Sequence, residues 1–188
     1  MERSIGPACA TSSLPGRLRP VDSPELFRLV AEWLNDPVNA KWLDFGDGRR
    51  RITPEWVKMA TQRGVLAVRV FETDDGTPVA AAALDNINQD FRSATYWTVL
   101  GDKRFARLGY ATRATIDMLT VGFEELGLHS INTWIVDGNP SVAVARKAGF
   151  RPAGRQRQCH FIDGKPHDRL CYDLLASEHE ELRHARGR

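Results

Sequence analysis

Apolar and polar positions along this chain alternate in two rhythms, and the switch points between them outline the fold. Leu26, Leu29, Val30, Trp33 and Leu34 form a stripe at helical spacing. Ser23-Pro24-Glu25 opens it with an N-cap serine, a proline at the first helical position and an acid in the first turn; Asn35-Asp36-Pro37 stops it. Thr53-Pro54-Glu55 repeats the opening signal, and Gly64 closes a second helix. Leu18 to Val21 reads as a short first strand. Val65 to Glu72 and Val79 to Leu84 read as strands around the turn signal Asp74-Asp75-Gly76, and Ser93 to Leu100 as the third strand of that meander. The helical rhythm returns with Ile116, Leu119, Phe123 and Leu126, and Gly127 ends it. Ser130 to Val136 is the next strand. Asn139 caps a short helix with Pro140 at its first position, and Gly149 terminates it. Ala153 to Ile162, the turn Asp163-Gly164 and His167 to Leu174 make a final hairpin. The order βααβββαβαββ predicts one α+β domain, with a mixed, mostly antiparallel sheet and helices on both faces. Its expected limits are 17–176, between a flexible N-terminal tail (1–16) and a charged, frayed C-terminal tail (177–188).

Composition narrows the partners. The 188 residues carry 26 Lys+Arg against 24 Asp+Glu, a formal charge of +2. Acids interleave with the arginines, which reads as a solvated surface and gives no ground for a nucleic-acid partner. Cys9, Cys159 and Cys171 are odd in number and irregular in spacing, so no disulfide framework is indicated. No stretch approaches the ~18 apolar residues of a membrane span, and the first sixteen residues lack the apolar region of a signal peptide. The expectation is a cytoplasmic protein without a membrane partner.

The segment Arg104-Phe105-Ala106-Arg107-Leu108-Gly109-Tyr110-Ala111-Thr112 carries the chemistry that stands out. It joins a strand to a helix through a basic, glycine-bearing loop. Free N–H groups at a helix N-terminus and the macrodipole make such a junction an anion site, of a size that suits a pyrophosphate. No Gly-Lys-Ser/Thr follows, so it is not a P-loop, and G-x-G-x-x-G is absent.

Three motifs together resemble the GNAT acetyltransferase superfamily, over roughly Leu18 to Leu175. The first is Tyr96-Trp97 followed by Arg104-x-x-Arg107-x-Gly109-Tyr110-Ala111-Thr112, similar to the family's acetyl-CoA pyrophosphate loop. The second is Asn139-Pro140-Ser141 with Arg146-Lys147-Ala148-Gly149-Phe150. The third is Phe161-Ile162-Asp163-Gly164-Lys165-Pro166-His167-Asp168 with Tyr172-Asp173-Leu174-Leu175, which is most similar to the Rim-type branch of ribosomal-protein N-terminal and small-amine acetyltransferases. The resemblance implies acetyl transfer from acetyl-CoA to an amine. It implies a splayed strand pair, Tyr96–Leu100 and Ser130–Val136, with the pantetheine arm bonded to main-chain groups of Thr98, Val99 and Leu100. Main-chain N–H groups from Phe105 to Ala111 would hold the pyrophosphate, with Arg104, Arg107 or Arg113 pairing with its oxygens and Thr112, Asn139 and Arg146 also on the CoA side. The sequence departs from the family at three points. Arg107 stands where the loop's first glycine belongs, Ala145 where a tyrosine acid is usual, and no carboxylate lies on the strand before the loop.

Acetyl transfer to an alkyl amine poses a proton problem. With a pKa near 10, about one amine in a thousand is neutral at pH 7, a cost of about 4 kcal/mol. A base, or a water wire to one, must take the proton. If Asp163-Gly164 is a two-residue turn, His160 falls opposite His167, and two neighbouring imidazoles disfavour double protonation. His160 is therefore the first candidate base and His167 the second. Ser141 matches the serine that the Rim-type branch places near the CoA thiolate; helix capping is its alternative role. Cys159 and His160 are adjacent and point to opposite faces of a strand, so no metal is expected. Trp33, Trp42, Phe45 and Trp56 are available to an acceptor pocket or to the core, and the loop from Asn39 to Ile52 is either charge-selective or solvated. The alanine run Ala80 to Ala83 either leaves room for a longer acyl chain or lies under a helix. Acceptors compatible with this reading are a small primary amine (amino sugar, amino-acid derivative or antibiotic-like amine) and the α-amine of a protein terminus. A non-catalytic acyl-CoA-binding module is the reading from another class. A homodimer is compatible with the resemblance.

Overall fold

A computed structural model describes residues 16–44, 51–64 and 66–186. Helix α1 (Pro24–Asn35) starts where Ser23 Oγ accepts the Leu26 N–H at 3.3 Å. The Asp36-Pro37 pair that stops it also begins a one-turn helix α2 (Pro37–Ala40), because Asp36 Oδ1 accepts the Val38 N–H at 2.9 Å. Helix α3 (Pro54–Gln62) is capped by Thr53 Oγ1 on the Trp56 N–H at 3.1 Å. Strands β1 (Arg17–Pro20), β2 (Leu66–Glu72), β3 (Pro78–Asn88) and β4 (Ser93–Leu100) follow the expected meander. Helix α4 (Tyr110–Thr120) continues through a π-helical turn (Val121–Glu125) to β5 (Ser130–Val136). Helix α5 (Ser141–Ala148) leads to the hairpin β6 (Arg151–Ile162) and β7 (Lys165–Leu175).

The seven strands form one sheet in the order β1-β2-β3-β4-β5-β7-β6, and the β4–β5 pair is parallel. Strand alternation divides the core between the two faces. Ala80, Ala82 and Leu84 turn to the α4 side, against Ala114, Met118 and Leu119. Ala81 and Ala83 turn to the side of α1 and α3, among Val30, Leu34 and Val57. All four alanines are fully buried, so the run lies under helices on both faces. Trp33 and Trp56 pack against the second core; Phe45 lies outside the described residues.

Trp33 also explains a glycine. A Cβ on Gly101 would sit 1.9 Å from the Trp33 indole, at the exit of β4. Gly101→Ala is expected to cost about 2 kcal/mol through overpacking. A thermal melt should then shift down by roughly 4–8 °C; an unchanged melt would mean the indole moves freely aside.

The C-terminal segment is not a frayed tail as far as it is described. Ala176–Arg186 forms helix α6. His179 is 2% exposed and its Nε2 lies 2.9 Å from Thr120 Oγ1. Leu182 reaches the Cα side of Gly149, and Glu178 pairs with Arg151 at 2.7 Å. The charge density of Glu178 to Arg188 hid a narrow stripe, His179 and Leu182 at i, i+3, that docks on α4 and α5.

Candidate active site

The parallel β4–β5 pair holds together over only Ser93↔Ser130, Ala94↔Ile131 and Thr95↔Asn132. Thr95 Oγ1 donates to Asn132 Oδ1 at 3.1 Å, and Asn132 Nδ2 to the Ala94 carbonyl at 3.1 Å, closing the vertex. Beyond it β4 has no ladder partner on this side and a V-shaped cleft of about 200 Å³ opens. The Gly101 N–H donates to the Val79 carbonyl at 2.9 Å. By ladder alternation, Val99 is then bonded to β3, and the main-chain groups of Tyr96, Thr98 and Leu100 face the gap. Val99 is thus turned away from the position expected for it. The Leu100 carbonyl is taken by Lys103 Nζ. Burial lowers the Lys103 ammonium below its ordinary value, opposed by Asp36.

The basic loop follows the C-terminal end of β4 and leads into α4, whose Thr115 lines the cleft. A single 3-10 turn (Lys103–Phe105) spends the N–H groups of Phe105, Ala106 and Leu108 on turn hydrogen bonds. Arg107 (φ 64°) and Gly109 (φ 94°) then adopt left-handed conformations. Among the described residues, the N–H groups of Arg107, Gly109, Tyr110, Ala111 and Thr112 donate to nothing. Helices α1, α2 and α3 have a side-chain cap; α4 has none. A helix N-terminus left open beside a cleft is the arrangement that receives an anion, and its donor set fits a diphosphate. The arginines around it differ. Arg104 is chelated by Asp102 (Nε–Oδ1 3.0 Å, Nη2–Oδ2 2.6 Å), which holds the Asp102 carboxyl below its ordinary range. Arg113 pairs with Asp117 at 2.8 Å. Arg107 is exposed and has no acidic partner among the described residues, so its charge remains available to a phosphate.

The cleft's walls include Asn139, Ser141, Val144 and Ala145 from the second motif. Asn139 Oδ1 accepts the Ser141 N–H at 2.8 Å, so the asparagine caps the start of α5. The Ser141 hydroxyl has no partner among the described residues and stays available to the cleft. Arg146 is exposed on the outer face of α5. Tyr96, also in the wall, is buried; its hydroxyl donates to Thr115 Oγ1 at 2.9 Å, and burial drives its pKa upward.

The cleft is also lined by Trp42, Leu43, Asp44, Asp85, Asn86, Thr95, Trp97 and Trp134. Asp85 was not among the residues singled out from sequence. It continues the face of Ala81 and Ala83, and pairs across the ladder with Thr95. A register shift between Asp85 and Asn88, with Asn86 at φ 51°, bends the strand here. Such bulges re-aim side chains beside functional clefts. Asp85 Oδ1 accepts the Asn86 N–H at 2.7 Å, and no cation pairs with it among the described residues. Asp44 is paired instead, with Arg169 at 3.0 Å.

His160 and His167 are cross-strand partners, as the turn spacing predicts. The expected imidazole pair does not form a site, however. His160 is 7% exposed, its Nε2 lies 2.7 Å from the Lys41 carbonyl, and Arg169 Nη2 lies 3.2 Å from its Nδ1. A carbonyl accepts and a guanidinium donates, so Nε2 carries the hydrogen and the Nδ1 lone pair is occupied. Neither histidine lines the cleft. Among the described residues no cluster of three or more His, Cys, Asp or Glu side chains is placed to hold a metal ion. No helix among them is long and apolar enough to cross a membrane.

Comparisons with known proteins bear on the family and the fold. The family model described as "Acetyltransferase (GNAT) domain" matches residues 17–151. The chain is 31% identical over 174 residues to "Putative ribosomal N-acetyltransferase YdaF" of Bacillus subtilis, covering 87% of this chain and 91% of that protein. Its fold is similar to that of spermidine N-acetyltransferase from Vibrio cholerae in complex with CoA and spermine. The TM-score is 0.76 at 19% identity, over 88% of this chain and 98% of that one. A manganese-containing structure of the Vibrio cholerae spermidine/spermine enzyme gives 0.74 at 18% identity, over 93% and 99%.

Proposed function

The chain belongs to the GNAT acetyltransferase family, and from that premise we propose that it transfers acetyl from acetyl-CoA to the primary amine of a small, cationic acceptor. The observation that carries the reading is the cleft itself. Asp85, which pairs with no cation among the described residues, lies in its lining with Trp42, Trp97 and Trp134, and α4, whose Thr115 also lines it, begins with five N–H groups that donate to nothing among the described residues. Acetyl-CoA, when bound, supplies an electrophilic thioester. The residues supply the rest. The cradle from Arg107 to Thr112, with the Arg107 guanidinium, binds the diphosphate. Thr98 and Leu100 orient the arm along β4. Trp42, Trp97 and Trp134 supply aromatic surface to an ammonium, on the faces of Trp42 and Trp134 not already covered by Lys41 and Arg169. Asp85 attracts the ammonium and accepts its proton, directly or through a water. Ser141 donates a hydrogen bond toward the departing sulfur. Ser141→Ala is expected to lower kcat about tenfold with acceptor KM unchanged; an unaltered kcat would return Ser141 to a purely local role.

A second reading has its own support. The 31% identity to a protein named as a ribosomal N-acetyltransferase favours the α-amine of a polypeptide terminus. Release of free CoA, measured with spermidine, glucosamine and a peptide bearing a free N-terminus, separates the two. Turnover of spermidine or glucosamine well above the peptide is the expected outcome. Preference for the peptide would replace the small-amine proposal, and acetyl-CoA uptake without turnover on any of the three would sink both.

A further inference from the structure

The segment Lys41–Asp44 supplies three consecutive residues to the acceptor end of the cleft, yet it is a loop between α2 and residues beyond it. Its local hydrogen bonds are short-range turn bonds, the Lys41 and Trp42 N–H groups to Asn39 and the Leu43 N–H to Ala40. Leu43 packs against the core that includes Val30 and Leu34, and the segment's longest-range ties come from far along the chain. His160 donates from Nε2 to the Lys41 carbonyl, 119 residues away. Arg169 reaches Asp44 with Nη1 and His160 with Nη2. Its guanidinium also lies 3.8 Å from the Trp134 ring, which itself lines the cleft. The fork of one arginine therefore ties together the loop, the histidine and the opposite wall. At the other end α2 is fastened to the cofactor side, where Lys103 Nζ donates to Asn39 Oδ1 at 2.5 Å.

We infer that His160 and Arg169 are positioning residues: they strap the Lys41–Asp44 segment onto the β6–β7 hairpin, making it a fixed wall of the acceptor site, and so set acceptor affinity through Trp42 and Asp44. This rests on the acceptor occupying that end of the cleft, as proposed above. The strap explains why a buried imidazole with both nitrogens spent sits beside a catalytic cleft without lining it. It also leaves Asp85 as the carboxylate whose charge faces the acceptor, because the Asp44 charge is balanced by Arg169.

The test pairs hydrogen exchange with kinetics. In the full-length protein, His160→Ala, Arg169→Met and Asp44→Ala should each speed exchange of the Trp42 and Leu43 amides at least tenfold, with β5 amides unchanged. With whichever of the three amines turns over, these variants should raise acceptor KM about tenfold and leave kcat within threefold. The double variant Asp44→Ala/Arg169→Met should be no worse than the poorer single variant. His160→Gln retains an N–H donor at the same reach and should restore wild-type KM. Unchanged exchange in Asp44→Ala, an exposed position that leaves the core intact, overturns the strap. So does a His160→Gln variant that loses kcat a hundredfold at wild-type KM, the signature of a proton acceptor. Should no amine turn over, exchange alone decides the strap, and the acceptor reading fails separately.

Discussion

Asp85→Asn is expected to lower kcat by about a hundredfold or more at neutral pH while leaving the acetyl-CoA Kd unchanged. Asparagine is nearly isosteric and keeps an oxygen for the Asn86 N–H, so the local strand geometry and the direction of the side chain should survive. What disappears is the negative charge beside the incoming ammonium and the group that takes its proton. The sign of the pH effect follows from the acceptor. As the solution approaches the amine's own pKa near 10, a growing fraction arrives already neutral, so the deficit of the variant should shrink steadily from about pH 7 to pH 9. Initial rates across that range, with acetyl-CoA saturating, measure it. A variant within about threefold of wild type at every pH would remove Asp85 from the proton path and leave the task to ordered water.

Asp85 also shows where sequence reading stops. The alternation Ala81, Ala83, Asp85 was available, but the alanine run draws the strand boundary to Leu84, one residue before Asp85 and four before the strand's end at Asn88. That Asp85 reaches the cleft depends on its strand pairing with β4 opposite Thr95, which no local pattern encodes. The helix starts at Ser23, Thr53 and Asn139 were legible because each is a local hydrogen bond between a side chain and an N–H two or three residues on. The His160–His167 pairing was legible for the same reason, since a two-residue turn fixes register. The role of His160 was not. Arg169 is nine residues on, across the same hairpin, but Lys41 is 119 residues away, and only the tertiary fold brings its carbonyl to His160. Helix α6 was missed because eleven largely charged residues present two side chains to the core.

Arg107 carries the remaining departure from the family pattern, and its two properties can be separated. Its φ of 64° is the conformation that a glycine would adopt freely, so the loop keeps the glycine shape without the glycine. Holding a long side chain there costs about 1 kcal/mol. Arg107→Gly should therefore raise the melting temperature of the free protein by roughly 2–4 °C. The same change removes the guanidinium beside the open donors of α4, and loss of a charge-assisted contact of about 1.5 kcal/mol should weaken acetyl-CoA about tenfold. Arg107→Glu retains the strain and reverses the charge, so it should show no thermal gain and a loss nearer a hundredfold. Calorimetric titration at two salt concentrations checks the cause, since the wild-type advantage must narrow as ionic strength rises. If Arg107→Gly gains stability but binds acetyl-CoA as wild type does, the cradle works through its main chain alone, and the arginine at this position is a surface charge that the loop tolerates.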